Sequence, residues 1–202
     1  MKEGLIVVLS APAGSGKGTV REIILKRKSF FDSVSVTTRA MRPGDKEGDY
    51  EYVSEEEFFK RRDADFFLEC NQYCNGKYYG TPKAPALEAI ARGEDVLLEI
   101  DVNGGLMVKE KYPNAVLIML LSPNATIQEK RLRGRKSETE ESIAARLAET
   151  PAEVGRVAQY DYLVYNHEDG AEACAEEILS IIAAEHARTR YYPNAAEDYY
   201  NN

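Results

Sequence analysis

The sequence has few of the residues that build disulfide frameworks, metal centres and histidine catalysis. Its 202 residues include three cysteines, two histidines and no tryptophan. Three cysteines are too few for the dense pattern of a disulfide-stabilised domain. Cys70 and Cys74 lie four residues apart with no histidine nearby, so incidental or buried thiols are favoured over metal ligands. His167 and His186 belong to no catalytic motif. We therefore predict no metal centre built from cysteine or histidine.

Long apolar segments and a basic surface are also lacking. The first apolar run, residues 5–9, is too short for a signal peptide, and no run approaches the roughly 20 residues that cross a bilayer. The net charge is −8, which disfavours a general nucleic-acid binder. Hydrophobic residues make up 44%, which is ordinary for a globular protein with one substantial core. We expect a cytoplasmic protein that binds neither membranes nor nucleic acid.

A glycine-rich loop stands near the N-terminus, between a predicted strand and a predicted helix. Residues 10–19 read SAPAGSGKGT. This order suits a nucleoside triphosphate, because glycines let the backbone curl and the helix N-terminus favours negative charge. Lys17 adds a mobile full charge that can follow the phosphates. The predicted ATP contacts in this loop are Ala11, Pro12, Ala13, Gly14, Ser15, Gly16, Lys17, Gly18 and Thr19.

The loop departs from the phosphate-binding template G-x-x-x-x-G-K-[ST] at two positions. Ala11 replaces the first glycine, and Gly18 replaces the hydroxyl residue that binds Mg²⁺. A hydroxyl comes one residue later, as Thr19. We therefore expect Mg²⁺ to be held mainly by ATP phosphates and water.

Apolar strands alternate with helices along most of the chain, which is typical of a parallel sheet covered on both faces. Two excursions interrupt this α/β core: a small, mostly antiparallel insertion at 34–81 and a charged helical segment at 125–158. Pro151 and Gly155 are expected to end or kink the second helix of that segment. A tail at 188–202 is expected to be loosely ordered. The core of this single domain is predicted over residues 1–33, 82–124 and 159–187.

A second group of polar residues lies in and after the insertion. Arg39 and Arg42 flank a turn, and two guanidinium groups so close together suit a second phosphate, although on these two residues alone a solvated loop is the favoured interpretation. Glu69 interrupts an apolar strand, Thr81 follows a hairpin, and Asp101 ends a core strand at the edge where open α/β sheets bind ligands. A carboxylate accepts the adjacent N1–H and 2-amino donors of guanine, which adenine lacks.

These segments together resemble the guanylate kinase family from about residue 4 to about residue 185. The resemblance rests on SVSVTTRAMRPGDKEGDYEYVS, FLECNQYCNGKYYGTP, LLEIDVNG and RLRGRKSETEESIAARL. It implies a P-loop NTP hydrolase-type fold and transfer of the γ-phosphoryl group of MgATP to GMP, in purine nucleotide metabolism and GMP recycling. It implies no obligate protein partner. The implied GMP-binding residues are Ser35, Arg39, Arg42, Tyr50, Glu69, Tyr79, Thr81 and Asp101.

The resemblance also implies that 125–158 is a lid that closes over the ATP phosphates. Arg131, Arg135 and Arg146 match its arginines, although helical spacing alone would indicate only a solvated face. Asn166 falls where the family approaches adenine. The implied catalytic residues are Lys17, Arg39, Arg135 and Arg146.

Two other functions stay open on the residues alone. One is a small kinase of the same fold that acts on a sugar phosphate or another nucleotide, against which Glu69, Thr81 and Asp101 argue. The other is a guanylate-kinase-like interaction module without catalysis. Such modules lose the lysine loop or the GMP residues, and this chain has both.

Overall fold

The structure is a computed structural model that describes residues 3–41, 45–73, 76–134 and 139–201. This part of the chain holds eight strands and eight α-helices, and no helix among them is long and apolar enough to span a membrane. The strands are β1 (Ile6–Ser10), β2 (Ser35–Thr37), β3 (Tyr50–Tyr52), β4 (Phe67–Gln72), β5 (Tyr78–Pro82), β6 (Val96–Glu99), β7 (Val116–Leu121) and β8 (Tyr162–Tyr165). The helices are α1 (Lys17–Arg27), α2 (Glu55–Asp63), α3 (Lys83–Ala91), α4 (Val102–Lys111), α5 (Ala125–Arg133), α6 (Glu140–Val154), α7 (Ala171–His186) and α8 (Ala195–Asn201).

The central sheet is parallel, with the strand order β6-β1-β7-β8. Val8 of β1 lies opposite Leu98 of β6 and Leu117 of β7. Its strands are apolar on both faces because helices cover both: α1 and α7 pack on one side, and α3 and α4 on the other. The predicted parallel sheet is confirmed. Since parallel strands end at one edge, the loop after β1 and Asp101 after β6 come together there.

A second, mixed sheet forms within the insertion in the order β3-β2-β5-β4. β2 pairs in parallel with β3, whereas the other two pairings are antiparallel. Val36, Phe58 and Phe67 form a separate small core beneath it, and the rings of Phe58 and Phe67 stack at 4.7 Å. The side chain of Ser54 caps α2 by accepting from the N–H of Glu57 at 3.1 Å.

The segment that is predicted to be a lid contains α5 and α6. Asn124 and Thr139 cap these helices, because each side chain accepts from an N–H three residues further on. Pro151 was expected to end or kink α6, but the helix continues to Val154 and Gly155 follows it. Pro151 is exposed, and its missing N–H removes one hydrogen bond of the helix without ending it.

The last helix of the core is anchored at the edge of the sheet opposite the carboxyl ends. Asp95, which precedes β6, is 4% exposed and accepts from the N–H of Leu5 at 2.8 Å. The same carboxylate lies 2.9 Å from Nε2 of His186 in α7 and 3.1 Å from Nζ of Lys28. These contacts join the start of the sheet to both helices of one face.

The tail is more regular than expected. Thr189–Tyr191 form a 3₁₀ turn, and α8 follows it. Arg190 reaches back to the buried carboxylate of Glu185 in α7 at 3.2 Å. The start of the tail is therefore held against the core.

Candidate active site

A cavity of about 720 Å³ opens at the carboxyl edge of the central sheet. Small-molecule sites have volumes of about 300–1,000 Å³. The glycine-rich loop, the insertion, the end of β6 and the lid all contribute to its walls. The predicted residues that line it are Ala11, Pro12, Ala13, Gly14, Gly16, Lys17, Gly18, Ser35, Tyr50, Glu69, Tyr79, Asp101 and Arg146. Thr81 lines an adjoining cavity of about 410 Å³.

The glycine-rich loop takes its shape from two residues in the left-handed region. Gly14 and Gly16 both have φ of 85°, which favours glycine. A Cβ at Gly14 would also lie 2.8 Å from the carbonyl oxygen of Gln128. Ala11 is buried without a positive φ, so the template's first glycine is not needed there. Gly18 lies in the first turn of α1 with open space around it. A side chain would fit at this position, so Gly18 is not needed to curl the loop.

Lys17 begins α1 and lies beside the end of β6. Its Nζ donates to the carbonyl oxygen of Ile100 at 3.2 Å and lies 4.0 Å from Oε1 of Glu99. The other oxygen of Glu99 lies 3.4 Å from Nε of Arg21, so two cations share this carboxylate. A phosphate oxygen would offer the ammonium a stronger, charge-assisted partner than either contact.

Glu69 is a buried carboxyl on the insertion side of the cavity, with 4% exposure. Thr81 lies opposite it in the β4–β5 register and donates its hydroxyl to Oε1 at 2.8 Å. Burial raises the pKa of Glu69 from 4.5 to about 7, against the hydrogen bond from Thr81, and the nearby Asp101 adds to the rise. Such a carboxylate has lost its hydrating water, so hydrogen bonds from the N–H donors of a ligand would stabilise it.

The second sheet brings three further predicted residues together. Ser35 of β2 lies opposite Tyr50 of β3 in the register. The rings of Tyr50 and Tyr79 meet edge to face, with centroids 6.0 Å apart. All three line the cavity.

Asp101 has two hydrogen-bond partners that fix its carboxylate. It caps α4 by accepting from the N–H of Gly104 at 2.7 Å. Asn71, which the sequence analysis missed, donates its Nδ2 to both oxygens at 2.9 and 3.2 Å. Tyr73 was also missed; it lines the cavity, and its ring lies 4.8 Å from that of Tyr79. Alternation along a strand places residues 69, 71 and 73 on one face. The prediction of Glu69 as a site residue could therefore have led to Asn71 and Tyr73 as well.

Arg39 is buried behind the two cavity tyrosines rather than exposed to the cavity. It is 9% exposed, and its guanidinium packs over the ring of Tyr50 at 5.1 Å. Its charge is paired with Asp45 at 2.6 Å, and Asp45 also accepts from the hydroxyl of Tyr52 at 2.8 Å. The pairing with Asp45 keeps the pKa of Arg39 above its ordinary value despite burial. Arg42 lies outside the described residues.

The lid places one predicted arginine and two unpredicted carboxylates on the cavity. Arg146, Glu149 and Glu153 of α6 line it together, as spacings of three and four residues put them on one helix face. Burial raises the pKa of Glu153 to about 7, and Glu149 adds to the rise. Arg135 lies outside the described residues.

Arg131 and Asn166 brace the glycine-rich loop instead of lining the cavity. Asn166 donates to the carbonyl oxygen of Ser15 at 2.9 Å, and Arg131 reaches the same oxygen at 3.4 Å. Arg131 also donates to the carbonyl oxygen of His167 at 2.9 Å. Their predicted contacts with ATP stay predictions.

Gln128, a further unpredicted residue, joins the loop to both lid helices. It is 3% exposed, and its Nε2 donates to the carbonyl oxygen of Ala13 and to Oγ1 of Thr150, each at 2.8 Å. Both hydrogens of the amide are therefore used. Thr150 in turn donates to the carbonyl oxygen of Arg146 at 3.2 Å.

The cavity suits a hydrated Mg²⁺ that arrives with a triphosphate. Among the described residues, no three His, Cys, Asp or Glu side chains are grouped to hold a metal ion. Gly18 offers no hydroxyl, and Thr19 is exposed and does not line the cavity. Glu99 and Asp101 do line it and supply the hard oxygen acceptors that water around Mg²⁺ binds.

The parallel sheet, the glycine-rich loop before α1 and the lysine at its start define a P-loop nucleotide-binding protein. Residues of the second sheet line the same cavity.

Comparison with known proteins identifies the family. The family model described as guanylate kinase matches residues 3–185. The guanylate kinase of Clostridium acetobutylicum is 43% identical over 188 residues, which are 93% of this chain and 88% of that protein. That of Streptococcus thermophilus is 42% identical, over 98% of this chain and 96% of its own. The crystal structure of guanylate kinase from Anaplasma phagocytophilum matches with a TM-score of 0.76 and 31% identity, covering 94% of this chain and 89% of that one. The chain belongs to the guanylate kinase family, as its motifs predicted.

Proposed function

We propose that this chain transfers the γ-phosphoryl group of MgATP to GMP, giving ADP and GDP. As a member of the guanylate kinase family it is a nucleoside monophosphate kinase. The observation that carries the proposal is one cavity lined by a phosphate-binding loop on one side and by Glu69 and Asp101 on the other. A purine nucleotide role in the cytoplasm follows from this reaction and from the composition.

The donor triphosphate lies along the glycine-rich loop. The N–H groups of the loop and of the first turn of α1 face its oxygens, and Lys17 exchanges the carbonyl oxygen of Ile100 for a phosphate oxygen. Mg²⁺, when bound, would neutralise charge on the triphosphate, and Glu99 and Asp101, which line the cavity, would accept hydrogen bonds from its water.

The acceptor lies against the second sheet. The ionised Glu69 accepts the N1–H and 2-amino donors of guanine, with Asp101 beside it and the hydroxyl of Thr81 on the same carboxylate. Adenine brings an unprotonated N1 to this position, so a buried carboxylate would lose its donors. Arg39 binds the phosphate of GMP after it leaves Asp45, with Tyr50 and Tyr79 as neighbours.

The chemical step needs positioning more than acid–base catalysis. An oxygen of the GMP phosphate forms the new bond to the γ-phosphorus while the bond to the leaving oxygen of ADP breaks. That phosphate is already largely ionised near pH 7, so no strong base has to remove a proton. Lys17 and Arg146 offset the repulsion between the two anions, and closure of the lid excludes water that would hydrolyse ATP.

The direct test is ADP release by the purified chain in a coupled assay with MgATP. We expect release that depends on GMP and that AMP or ribose 5-phosphate does not support. Lys17→Met should lower kcat by about two to three orders of magnitude, since it removes a charge at the transferred group. Lys26→Met, on the exposed face of the same helix, is the matched control and should leave kcat unchanged. GMP-independent release, or equal release with AMP, would rule out the proposal.

A further inference from the structure

Asn71 lies on the cavity face of β4, between two residues that also line the cavity. Strand alternation puts it on the same side as Glu69, two residues earlier, and Tyr73, two residues later. In the β4–β5 register it stands opposite Tyr79. It is half-buried and no part of the loop, the lid or the predicted guanine contacts.

The orientation of the Asn71 amide is fixed by its neighbour. Its Oδ1 accepts from the backbone N–H of Gln72 at 2.9 Å, which only the carbonyl end of the amide can do. The NH₂ end therefore faces Asp101, and it donates to Oδ2 at 2.9 Å and to Oδ1 at 3.2 Å. A flipped amide would place its oxygen against the carboxylate and its NH₂ group against the N–H of Gln72, so the observed orientation is the favoured one.

The bond also crosses from one sheet to the other. Asn71 belongs to the sheet of the insertion, whereas Asp101 follows β6 of the central sheet and caps α4 through Gly104. The carboxyl of Glu69 lies close to that of Asp101. A Cβ on Gly104 would lie 3.1 Å from Oε2 of Glu69 and 3.4 Å from Oδ1 of Asp101. Two carboxylates thus face one small volume, and their mutual repulsion favours turning Asp101 away.

We propose that Asn71 is a positioning residue that holds Asp101 beside Glu69 and thereby sets the selectivity for guanine. The proposal rests on the proposed function. The NH₂ group donates to both oxygens of Asp101, including the Oδ1 that caps α4, and offsets part of the repulsion between the two carboxylates. Together they present acceptors to the N1–H and the 2-amino group, and only the 2-amino group separates GMP from inosine monophosphate.

The test compares KM and kcat for GMP, inosine monophosphate and ATP in a set of variants. Asn71→Leu keeps the size of the side chain and removes its donors. We expect it to raise the KM for GMP about tenfold, to change that for inosine monophosphate less, and to leave the KM for ATP unchanged. Gln72→Leu, on the opposite and exposed face of the same strand, is the control. It loses an exposed hydrogen bond to the carbonyl oxygen of Gly76 but keeps the backbone N–H that Asn71 uses, so its KM values should match those of the wild type.

A double-mutant cycle separates positioning from a direct contact. If Asn71 acts through Asp101, Asn71→Leu should raise the KM for GMP in the wild type and add nothing in an Asp101→Asn background. An equal effect in both backgrounds, an unchanged preference for GMP over inosine monophosphate, or a parallel rise in the KM for ATP would overturn the proposal.

Two further measurements keep the outcome decisive. If Asn71→Leu does not fold, Asn71→Asp combined with Asp101→Asn restores a hydrogen bond of reversed polarity. That pair should keep the fold and lose the preference for GMP; retained preference contradicts the proposal. Absence of GMP-dependent ADP release by the wild type would instead refute the proposed function, whereas wild-type kinetics in Asn71→Leu refute only the role of Asn71.

Discussion

Acidification should weaken GMP binding through Glu69, because only the ionised carboxylate accepts both donors of guanine. Glu69 has 4% exposure and accepts a hydrogen bond from the hydroxyl of Thr81. Burial raises its pKa to about 7, so its proton competes with GMP in the neutral range. An exposed glutamate would be ionised throughout that range and would produce no such effect.

The size of the effect follows from the pKa. With a pKa of about 7, Glu69 is about nine-tenths ionised at pH 8 and about one-tenth ionised at pH 6. The KM for GMP should therefore rise about tenfold from pH 8 to pH 6 through this group. The phosphate of GMP also takes up a proton near pH 6, with a pKa of about 6, so the raw pH profile mixes two titrations.

The ratio of KM values for wild type and Glu69→Gln isolates the carboxyl, since both proteins bind the same phosphate. Glu69→Gln has no proton to exchange at this position and should show only the titration of the phosphate. Initial rates at saturating MgATP, between pH 6 and pH 8, measure both KM values. We expect the ratio of wild type to variant to rise about tenfold toward pH 6. A constant ratio would refute the reasoning.

The same pKa predicts a stability difference with a definite sign. A carboxyl whose pKa is higher in the folded state than its ordinary 4.5 destabilises the fold once it ionises. The penalty is absent below about pH 4.5, grows as the pH rises, and is complete above about pH 7. Glu69→Gln should thus gain up to about 3 kcal/mol in the free energy of unfolding at pH 8 and little at pH 5. Urea denaturation at the two pH values measures it; equal gains at both would contradict burial as the cause.

Three further substitutions test contacts on which the site depends. Asp45→Asn frees Arg39 from a competing carboxylate and should lower the KM for GMP about fivefold, which corresponds to about 1 kcal/mol of binding free energy. A large increase in this KM would mean that Asp45 orients Arg39 instead. Asp95→Asn removes the buried carboxylate that pairs with Lys28 and His186 and accepts from the N–H of Leu5, and it should cost about 3 kcal/mol in urea denaturation, with activity retained in the folded fraction. A cost below about 1 kcal/mol would refute the anchor. Thr150→Val leaves one N–H of the Gln128 amide without its acceptor and should lower the free energy of unfolding by about 1–2 kcal/mol, whereas Thr150→Ser should match the wild type. Equal losses in both variants would indicate a packing effect.

Much of the site follows from residues that are close along the chain. The glycine-rich loop is contiguous, so the positive φ of Gly14 and Gly16 and the place of Lys17 follow from local backbone preferences. Glu69 stands out as an acid within an apolar strand, and Asp101 stands out at the end of another. The alternation of apolar strands and helices likewise indicates the parallel sheet, because each strand is buried on both faces.

The partners of these residues depend on how separate elements approach. Asn71 and Asp101 are 30 residues apart and meet only because the second sheet packs beside the central one. No local pattern indicates that Arg39 is paired with Asp45 or that Arg131 braces the loop. Hydrogen bonds need placement within a few tenths of an ångström, and only packing supplies it.

From the amino-acid sequence one can predict the chemistry of the two proposed ligands, because phosphate and guanine each select particular side chains and the chain carries them. How those side chains are held depends on the packing of elements that are distant along the chain. Burial moved the titration of Glu69 into the neutral range, and the amide of Asn71 set the direction of a carboxylate on another sheet. Dielectric environment and side-chain orientation are properties of the packed molecule, so neither can be predicted from a sequence pattern.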